Sequence, residues 1–298
     1  MQPVAKMGIA VKVNVTTGGK LHPMLPIGLN HMTVPNVATQ HLLQLASALG
    51  CAGVELRNDL GRPLFDDDDP ATIAALAAAQ GQRVLALAEV KAFNVDPEEK
   101  LHAVQDLIDV AVACGAEAVA LIPAVAARPT DRVDQRMALR QALEILQPLL
   151  ENAGLMGLIE PLGFIASTLR FKQDVVRVLD DMGRPACFGI VHDTFHHHLS
   201  GETMIAADLT AIVHISGISD PEPAVHQMAD LHRVLVDAND RLHTVDQLRR
   251  LQAAGYKGPA SFEVFAPEIH DMTDPAAALA GSIAFIHDAL ADVSAGAA

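Results

Sequence analysis

Aromatic and basic residues are scarce in this sequence. Its 298 residues include no Trp, one Tyr and nine Phe, although half of all residues are hydrophobic. A core made instead of Ala, Val, Leu and Ile is typical of buried parallel strands that pack against Ala-rich helices. The 21 Lys and Arg are outnumbered by 36 Asp and Glu, which gives a formal net charge of −15. Because nucleic acids are bound by clustered basic residues, this deficit argues against a nucleic-acid partner and favours a small polar substrate.

Cysteines and long apolar runs are also rare. Cys51, Cys114 and Cys187 lie in apolar surroundings and form no Cys-x-x-Cys pair, which predicts reduced thiols and argues against a disulfide framework. No run approaches the roughly 18 apolar residues of a membrane helix, and no apolar signal core follows a basic stretch at the N-terminus. We therefore expect a cytoplasmic protein with no membrane partner, and the composition leaves a homo-oligomer open.

Residues 1–23 stand outside the pattern that follows and are predicted to be a poorly ordered N-terminal extension. From residue 24 to residue 298, short apolar runs alternate with helix-forming stretches, which is the pattern of βαβ units and a parallel sheet. Eight such units in a chain near the usual size of about 250 residues predict an α/β fold, a single (β/α)8 TIM barrel. The predicted strands are Met24–Asn30, Gly53–Arg57, Arg83–Ala88, Ala118–Ile122, Leu155–Glu160, Cys187–Asp193, Ala211–Ile215 and Ala260–Val264. The predicted helices lie near residues 36–49, 70–80, 97–114, 131–153, 171–182, 202–209, 243–254 and 275–291.

Four of the apolar runs end in a carboxylate or an imidazole, namely Glu160, Asp193, His214 and Glu263. In such a barrel, catalytic groups lie at the carboxyl ends of the strands. An oxygen-rich set with one imidazole suits a hard or borderline divalent cation, whereas a thiolate-preferring metal would require cysteine. The sequence therefore predicts one divalent ion, Zn, Mn, Co or Mg. The alternative is that the glutamates pair with arginines and that His214 is a core histidine with a hydrogen-bond partner.

The stretch Asp193-Thr194-Phe195-His196-His197-His198 forms a second cluster. Neighbouring side chains in a loop diverge, so one or two of the three histidines can face a shared site. We predict that His196 lies beside the substrate, and that His197 and His198 belong to the loop or the wall of the site.

Other polar residues near strand ends are candidates for substrate binding. Alternation along the second strand places Glu55 and Arg57 on the same face, so a pairing between these two is the alternative to a role of Arg57 in binding. A long irregular segment, residues 216–242, follows the seventh strand, and such a loop in a compact barrel is usually functional or disordered. The predicted substrate-binding residues are Asn30, His31, Arg57, Lys91, Asn94 and Arg233.

The motifs near the strand ends occur along nearly the whole chain, and their order is informative. The specific ones are Asp193-Thr194-Phe195-His196-His197-His198 and Phe262-Glu263-Val264-Phe265-Ala266-Pro267-Glu268, and weaker ones are Asn30-His31-Met32-Thr33 and Val213-His214-Ile215. Together they resemble the xylose-isomerase-like barrel superfamily of sugar phosphate isomerases and epimerases, and within it most closely the inosose (2-keto-myo-inositol) isomerases. The resemblance implies that Glu160, Asp193, His214 and Glu263 hold the metal, which is the set already chosen from the strand ends. His31 and Ser216 depart from the family pattern, which has acidic residues there, and both lie on the expected substrate side.

These observations predict a metal-dependent isomerase that shifts a carbonyl between adjacent carbons of a keto-polyol, an inosose or a ketose, through an enediolate. Glu160 and Glu263 are the predicted acid and base, in an order that the sequence leaves open, and His196 would bind a substrate hydroxyl. The resemblance to inosose isomerases further implies a place in inositol catabolism and carbohydrate metabolism. An inosose dehydratase, a ketose 3-epimerase and a barrel that only binds a sugar or a metal are the alternatives.

Overall fold

The computed structural model describes residues 24–125 and 131–292, and the predicted N-terminal extension lies outside the described residues. Eight parallel strands form a closed barrel, in which each strand pairs with the next along the chain and the last pairs with the first. The predicted TIM barrel is therefore confirmed, and each predicted strand overlaps an observed one. The strands are β1 (Ile27–Asn30), β2 (Gly53–Arg57), β3 (Arg83–Lys91), β4 (Ala118–Ile122), β5 (Met156–Ile159), β6 (Phe188–Asp193), β7 (Thr210–Ile215) and β8 (Ala260–Phe262).

Helices surround the barrel. They are α1 (Thr39–Ala48), α2 (Pro70–Ala79), α3 (Leu101–Ala113), α4 (Arg132–Ala153), α5 (Lys172–Asp181), α6 (Thr194–Ser200), α7 (Thr244–Ala253), α8 (Pro267–His270) and α9 (Pro275–Asp292). In α1 the buried residues are Thr39, Leu42, Leu43 and Ala46, which have the i, i+3, i+4, i+7 spacing of one helical face. The main apolar core lies between such faces and the outward side of the strands, and it fixes the barrel that carries the site.

A smaller apolar cluster fills the inside of the barrel. It includes Leu158, Val191 and Ile212, and each of these lies two residues before one of the predicted metal ligands along the chain. Because strand side chains alternate with a period of two, those predicted ligands face inward above the apolar layer. The fold therefore supports a polar layer at the carboxyl ends of the strands on an apolar floor.

The helix predicted at residues 202–209 is wrong, because the helix after β6 is α6 and begins directly at the end of the strand. The side chain of Asp193 accepts the backbone N–H groups of the second and third helical residues at 2.7 and 3.0 Å, so it caps the helix. Gly201, with a φ of 72°, ends it in the left-handed conformation. Glu202 binds the backbone N–H of Lys172 at 2.7 Å and so joins the start of α5. The three consecutive histidines consequently lie on a helix and not in a loop.

The irregular segment after β7 folds back onto the barrel. It carries two short 3-10 turns, and an antiparallel bridge between Gly217 and Val234 ties its two ends together. Arg233, beside this bridge, is one of the largest fully buried side chains, with 1% exposure. The segment therefore delivers a guanidinium group to the barrel interior.

Two further expectations concern the thiols of the three cysteines and membrane-spanning helices. Cys51, Cys114 and Cys187 are free and buried, and burial raises the pKa of the Cys51 thiol to about 12. None of the helices in the described ranges is long and apolar enough to cross a bilayer.

Candidate metal centre

The four predicted metal ligands converge at one place. Glu160, Asp193, His214 and Glu263 each offer one ligand atom, these atoms all lie within 4.8 Å of one another, and all four residues are buried. They come from the carboxyl ends of β5 to β8, where the inward-facing positions meet above the apolar floor. In residues 24–125 and 131–292 this is the one such group of three or more potential ligands.

His214 lies in the middle of the group. Its Nδ1 is 3.3 Å from Glu263 Oε2, 3.6 Å from Glu160 Oε1 and 4.0 Å from Asp193 Oδ2, yet this nitrogen has no hydrogen-bond partner in the described part of the chain. Its Nε2 is 3.0 Å from Glu55 Oε2. Burial alone would lower the pKa of His214, but the charges of Glu55, Glu263 and Glu160 raise it well above its usual value. A buried, unpartnered nitrogen surrounded by three carboxylates fits a divalent cation.

Glu263 is held by two arginines. Arg57 donates to its Oε1 at 2.7 Å, Arg233 donates to its Oε2 at 3.1 Å, and Asn30 lies 3.4 Å from Oε1. Burial would raise the pKa of this carboxyl, but His214, Arg233 and Arg57 together lower it well below its usual value. Glu263 is therefore kept in its charged form.

Glu160 has a different environment. Its neighbours in ion-pair range among the described residues are two imidazoles, His214 and His196, the latter with Nε2 at 3.9 Å. Burial, together with the charges of Glu263 and Asp193, raises the pKa of Glu160, although His214 opposes this. Of the two glutamates in the group, Glu160 is therefore the one that more readily carries a proton.

Arg233 lies inside the group and not at its rim. Its Nη2 donates to Asp193 Oδ2 at 2.6 Å as well as to Glu263, and its Nε donates to Ser216 Oγ at 3.0 Å. The guanidinium also stacks near the ring of Phe265, 4.7 Å from its centroid. The predicted substrate-binding arginine therefore also neutralises two of the predicted metal ligands.

His196 lies beside the group, with its Nε2 3.9 Å from Glu160 Oε1. Its ring packs edge-on against Phe164, with 5.0 Å between centroids, and its buried Nδ1 has no hydrogen-bond partner among the described residues. His197 instead packs against His192, with 4.7 Å between ring centroids, and His198 lies 6.2 Å from the ring of His243. Because the three rings point in different directions from α6, His196 is the one that faces Glu160.

Three other predicted substrate-binding residues lie further out. His31 is buried, binds the carbonyl oxygen of Val37 at 2.7 Å, and has its pKa lowered to about 4 by burial. The side chain of Lys91 is 83% exposed and lies 4.0 Å from Glu89. Asn94 donates to Thr168 at 3.0 Å and lines a surface cavity of about 560 Å³ between the loop after β3 and the start of α4. Asn30, Arg57 and Arg233 therefore contact the group, whereas these three residues do not.

The alternative pairing of Glu55 with Arg57 is wrong. Glu55 contacts His214, and Arg57 binds Glu263 and, through two hydrogen bonds of 2.7 Å, Asp59. Strand alternation placed both residues on the inward face, but it could not give their partners, which lie on β7 and β8. Glu55 is thus the residue near the site to which sequence reasoning gave no role. The sequence feature that could have indicated a role for Glu55 was the pair of opposite charges on the inward face of one strand.

A second buried polar network lies behind Asp193. Lys172 Nζ donates to His192 Nδ1 at 2.6 Å, and His192 Nε2 donates to Gln247 Oε1 at 2.9 Å. The Gln247 amide nitrogen in turn donates to the carbonyl oxygen of Thr194 at 3.0 Å, at the start of α6. Burial lowers the pKa of Lys172 to about 7. This network connects the outward side of β6 with α5 and α7.

The fold resembles several solved structures. A xylose isomerase domain containing protein from Salmonella typhimurium has a TM-score of 0.81 and 26% identity, over 88% of this chain and 97% of that one. The IOLI protein with a bound zinc atom has a TM-score of 0.77 and 20% identity, over 91% and 99% of the two chains. D-allulose 3-epimerase from Methylomonas sp., in complex with D-allulose, has a TM-score of 0.65 and 18% identity, over 93% and 99%.

The sequence itself places the chain in a family. A search among curated proteins gives no significant match. The sequence profile of the xylose isomerase-like TIM barrel family, however, matches residues 43–289, which are most of the chain and include every strand from β2 to β8 and all four predicted ligands. The chain therefore belongs to the xylose isomerase-like TIM barrel family.

Proposed function

We propose that this protein is a metal-dependent isomerase that shifts a carbonyl between adjacent carbons of a keto-polyol, an inosose or a ketose, through an enediolate. The observation that carries the proposal is the convergence of Glu160, Asp193, His214 and Glu263, with two glutamates whose surroundings push their pKa values in opposite directions. The zinc atom bound to the structurally similar IOLI protein supports metal binding by a barrel of this fold.

A divalent ion held by these four residues would polarise the substrate carbonyl and stabilise the negative charge that develops on its oxygen. The chain's own residues supply the proton transfer. Two carboxyl groups with separated pKa values suit a base and an acid. Glu263, kept charged by Arg57 and Arg233, takes the proton from the carbon next to the ketone. Glu160, whose pKa is raised, delivers a proton to the former carbonyl carbon. The hydroxyl proton of the deprotonated carbon passes to the former carbonyl oxygen, so that the carbonyl has moved by one carbon.

Two further side chains would orient the substrate. His196, 3.9 Å from Glu160, is placed to hydrogen-bond a hydroxyl next to the reacting carbon. Arg233 offers guanidinium N–H groups to substrate oxygens from the segment after β7. Phe164, against the edge of the His196 ring, limits the access of water on that side.

A ketose 3-epimerase is the second candidate. The similarity to D-allulose 3-epimerase favours it, and the same acid and base on two sides of a flat enediolate would invert one carbon and leave the carbonyl in place. The two activities differ in product: an isomerase moves the carbonyl, whereas an epimerase changes only the configuration at carbon 3.

The test is to strip the protein with a chelator, reload it separately with Zn, Mn, Co or Mg, and incubate it with ketoses and inososes in deuterated water. Solvent deuterium at the carbon next to the ketone, detected by NMR, would report enolisation even at low turnover. Product structure then distinguishes isomerisation from epimerisation, and loss of one water in the product mass would indicate a dehydratase. The stripped protein and the His214→Ala variant are the controls. No deuterium incorporation with any metal and any substrate would refute the proposal.

A further inference from the structure

Glu55 and His214 contact each other across the barrel. Glu55 lies on β2 and His214 on β7, and two strands, β1 and β8, separate β2 from β7 in the sheet order. Glu55 Oε2 nevertheless lies 3.0 Å from His214 Nε2, and the two side chains are 2% and 3% exposed. The inward positions below on the intervening strands are small, Gly28 and Ser261. A Cβ atom at Gly28 would lie 3.0 Å from Ser261 Cβ, so the interior is already tightly packed here.

The Glu55 carboxylate has few other partners. Its Oε1 is buried and without a hydrogen bond in the described part of the chain, and its one ion-pair partner there is His214. A buried carboxylate is costly unless a partner compensates it. Because Arg57, two residues further on the same face, is engaged by Asp59 and Glu263, the imidazole is the group that compensates Glu55.

The contact fixes how His214 presents its two nitrogens. A carboxylate accepts hydrogen bonds and cannot donate them, so the nitrogen that faces Glu55 must carry the hydrogen, and this nitrogen is Nε2. The other nitrogen, Nδ1, then points at Glu160, Asp193 and Glu263. To ligate an ion, Nδ1 must give up any proton it carries, whereas Nε2 keeps its proton for Glu55. Carboxylates behind ligating histidines orient the ring and strengthen it as a ligand.

From this geometry we infer that Glu55 is a positioning residue for the metal site, which holds the His214 ring with Nδ1 toward the ion. The inference rests on the proposed metal-dependent function. Loss of such a partner typically weakens metal binding by about 10- to 100-fold. The effect acts through His214, because Glu55 itself is not one of the four converging residues.

The experiment compares Glu55→Gln and Glu55→Leu with Glu89→Gln as a matched control. Glu89 lies on β3, 3.8 Å from Arg57, and makes no ion pair with His214 in the described chain. Its substitution by Gln removes one negative charge from the same end of the barrel, as Glu55→Gln does. Zn and Co affinities of the stripped proteins are measured by chelator competition at pH 8 and 9, where protons compete least for Nδ1. The visible spectrum of the Co-loaded proteins reports the ligand set independently of activity.

We expect both Glu55 variants to bind about 10- to 100-fold more weakly than the parent, with altered Co spectra. Glu89→Gln should match the parent in both measurements. Parent-like affinity and spectrum in Glu55→Gln would overturn the inference, as would an equal loss in Glu89→Gln. Circular dichroism shows whether Glu55→Leu folds, and the similar size of Gln keeps the test valid if it does not. A parent protein that binds no divalent ion would instead refute the proposed function.

Discussion

The four converging residues lie between two sides of the barrel mouth. The two glutamates among them have different neighbours on these two sides. On the arginine side, formed by Glu263, Arg57 and Arg233, the carboxylate is bound at both oxygens by guanidinium groups. On the imidazole side, formed by Glu160, His196 and Phe164, the carboxylate lies 3.9 Å from His196 Nε2, and the His196 ring packs against Phe164. Glu160 and Glu263 are buried to nearly the same extent, so their different partners, and not their depth, shift their pKa values in opposite directions.

Removing a residue shared by both sides should have the largest effect. His214→Ala and Asp193→Ala are expected to lose stoichiometric metal and to lower kcat/KM by about 10⁴-fold or more, because a bound metal contributes several kcal/mol to the transition state. Metal analysis after gel filtration is the measurement. Ions retained by both variants at parental affinity would refute the ligand assignment.

Exchanging the two glutamates for glutamine tests the comparison directly. Both Glu263→Gln and Glu160→Gln should lower turnover by about 10²- to 10⁴-fold, the usual range for general acid and base groups. Deuterium exchange at the carbon next to the ketone should then separate them. It should disappear in Glu263→Gln, which lacks the base, and persist in Glu160→Gln, which keeps the base.

Circular dichroism of both glutamine variants provides the control for folding. The reverse exchange pattern would interchange the roles of the two sides. Equal exchange in both variants would show that Glu160 and Glu263 do not have separate roles as acid and base.

His196 tests the imidazole side alone. His196→Asn should retain the metal while lowering kcat/KM by about 10²-fold, the loss expected for one hydrogen bond to a developing charge. His197→Asn is a matched control on the same helix, because that ring packs against His192. Loss of the ion in His196→Asn but not in His197→Asn would make His196 a ligand.

Arg57 tests the arginine side in its pH dependence. Arg57 is one of the charges that lower the pKa of Glu263, so Arg57→Met should raise that pKa. A base with a higher pKa is protonated at a higher pH, and the acid limb of the kcat/KM profile should therefore move toward higher pH. An unchanged acid limb would show that Glu263 is not the base that this limb reports.

Lys172 should affect the free energy of unfolding without changing the surroundings of Glu160 and Glu263. Its pKa is lowered from 10.5 to about 7 by burial, so the unfolded chain binds more protons than the folded one between these values. The free energy of unfolding should therefore rise as pH increases from 7 to 9, and this rise should be smaller in Lys172→Met. Urea unfolding at both pH values is the measurement, and equal slopes would show that Lys172 is charged in the folded state.

The barrel and the four converging residues could be predicted from the sequence because both depend on local patterns. A strand that reads apolar until Glu160 or His214 ends within one residue of it, and closure of the barrel then brings the strand ends together. The partners of Glu55 could not be predicted, because alternation gives the face of a side chain but not its neighbour across the interior. The helix after β6 was missed because its first turn depends on Asp193, which had been assigned to the metal alone.

Two predicted substrate-binding residues lie apart from the four converging side chains for a similar reason. His31 was expected at the substrate side from its place after β1, but the backbone carbonyl of Val37 binds its ring. Lys91 follows the pattern of a strand-end residue, yet its long side chain extends into solvent. A polar residue after a strand can face the barrel axis, the loop or the outside, and the tertiary packing decides among these.

The helix cap formed by Asp193 limits the denticity of this carboxylate. Its Oδ1 accepts two backbone N–H groups of α6, and Oδ2 alone faces Arg233 and His214. Rotation of the carboxylate to chelate an ion through both oxygens would break the cap, which typically contributes about 1 kcal/mol to stability. Asp193 therefore has one oxygen, Oδ2, to offer to an ion in the proposed metal site. A coordination sphere that needs more oxygens must draw them from Glu160, Glu263, water or the substrate, so substrate hydroxyls can complete it without competing with a chelating aspartate.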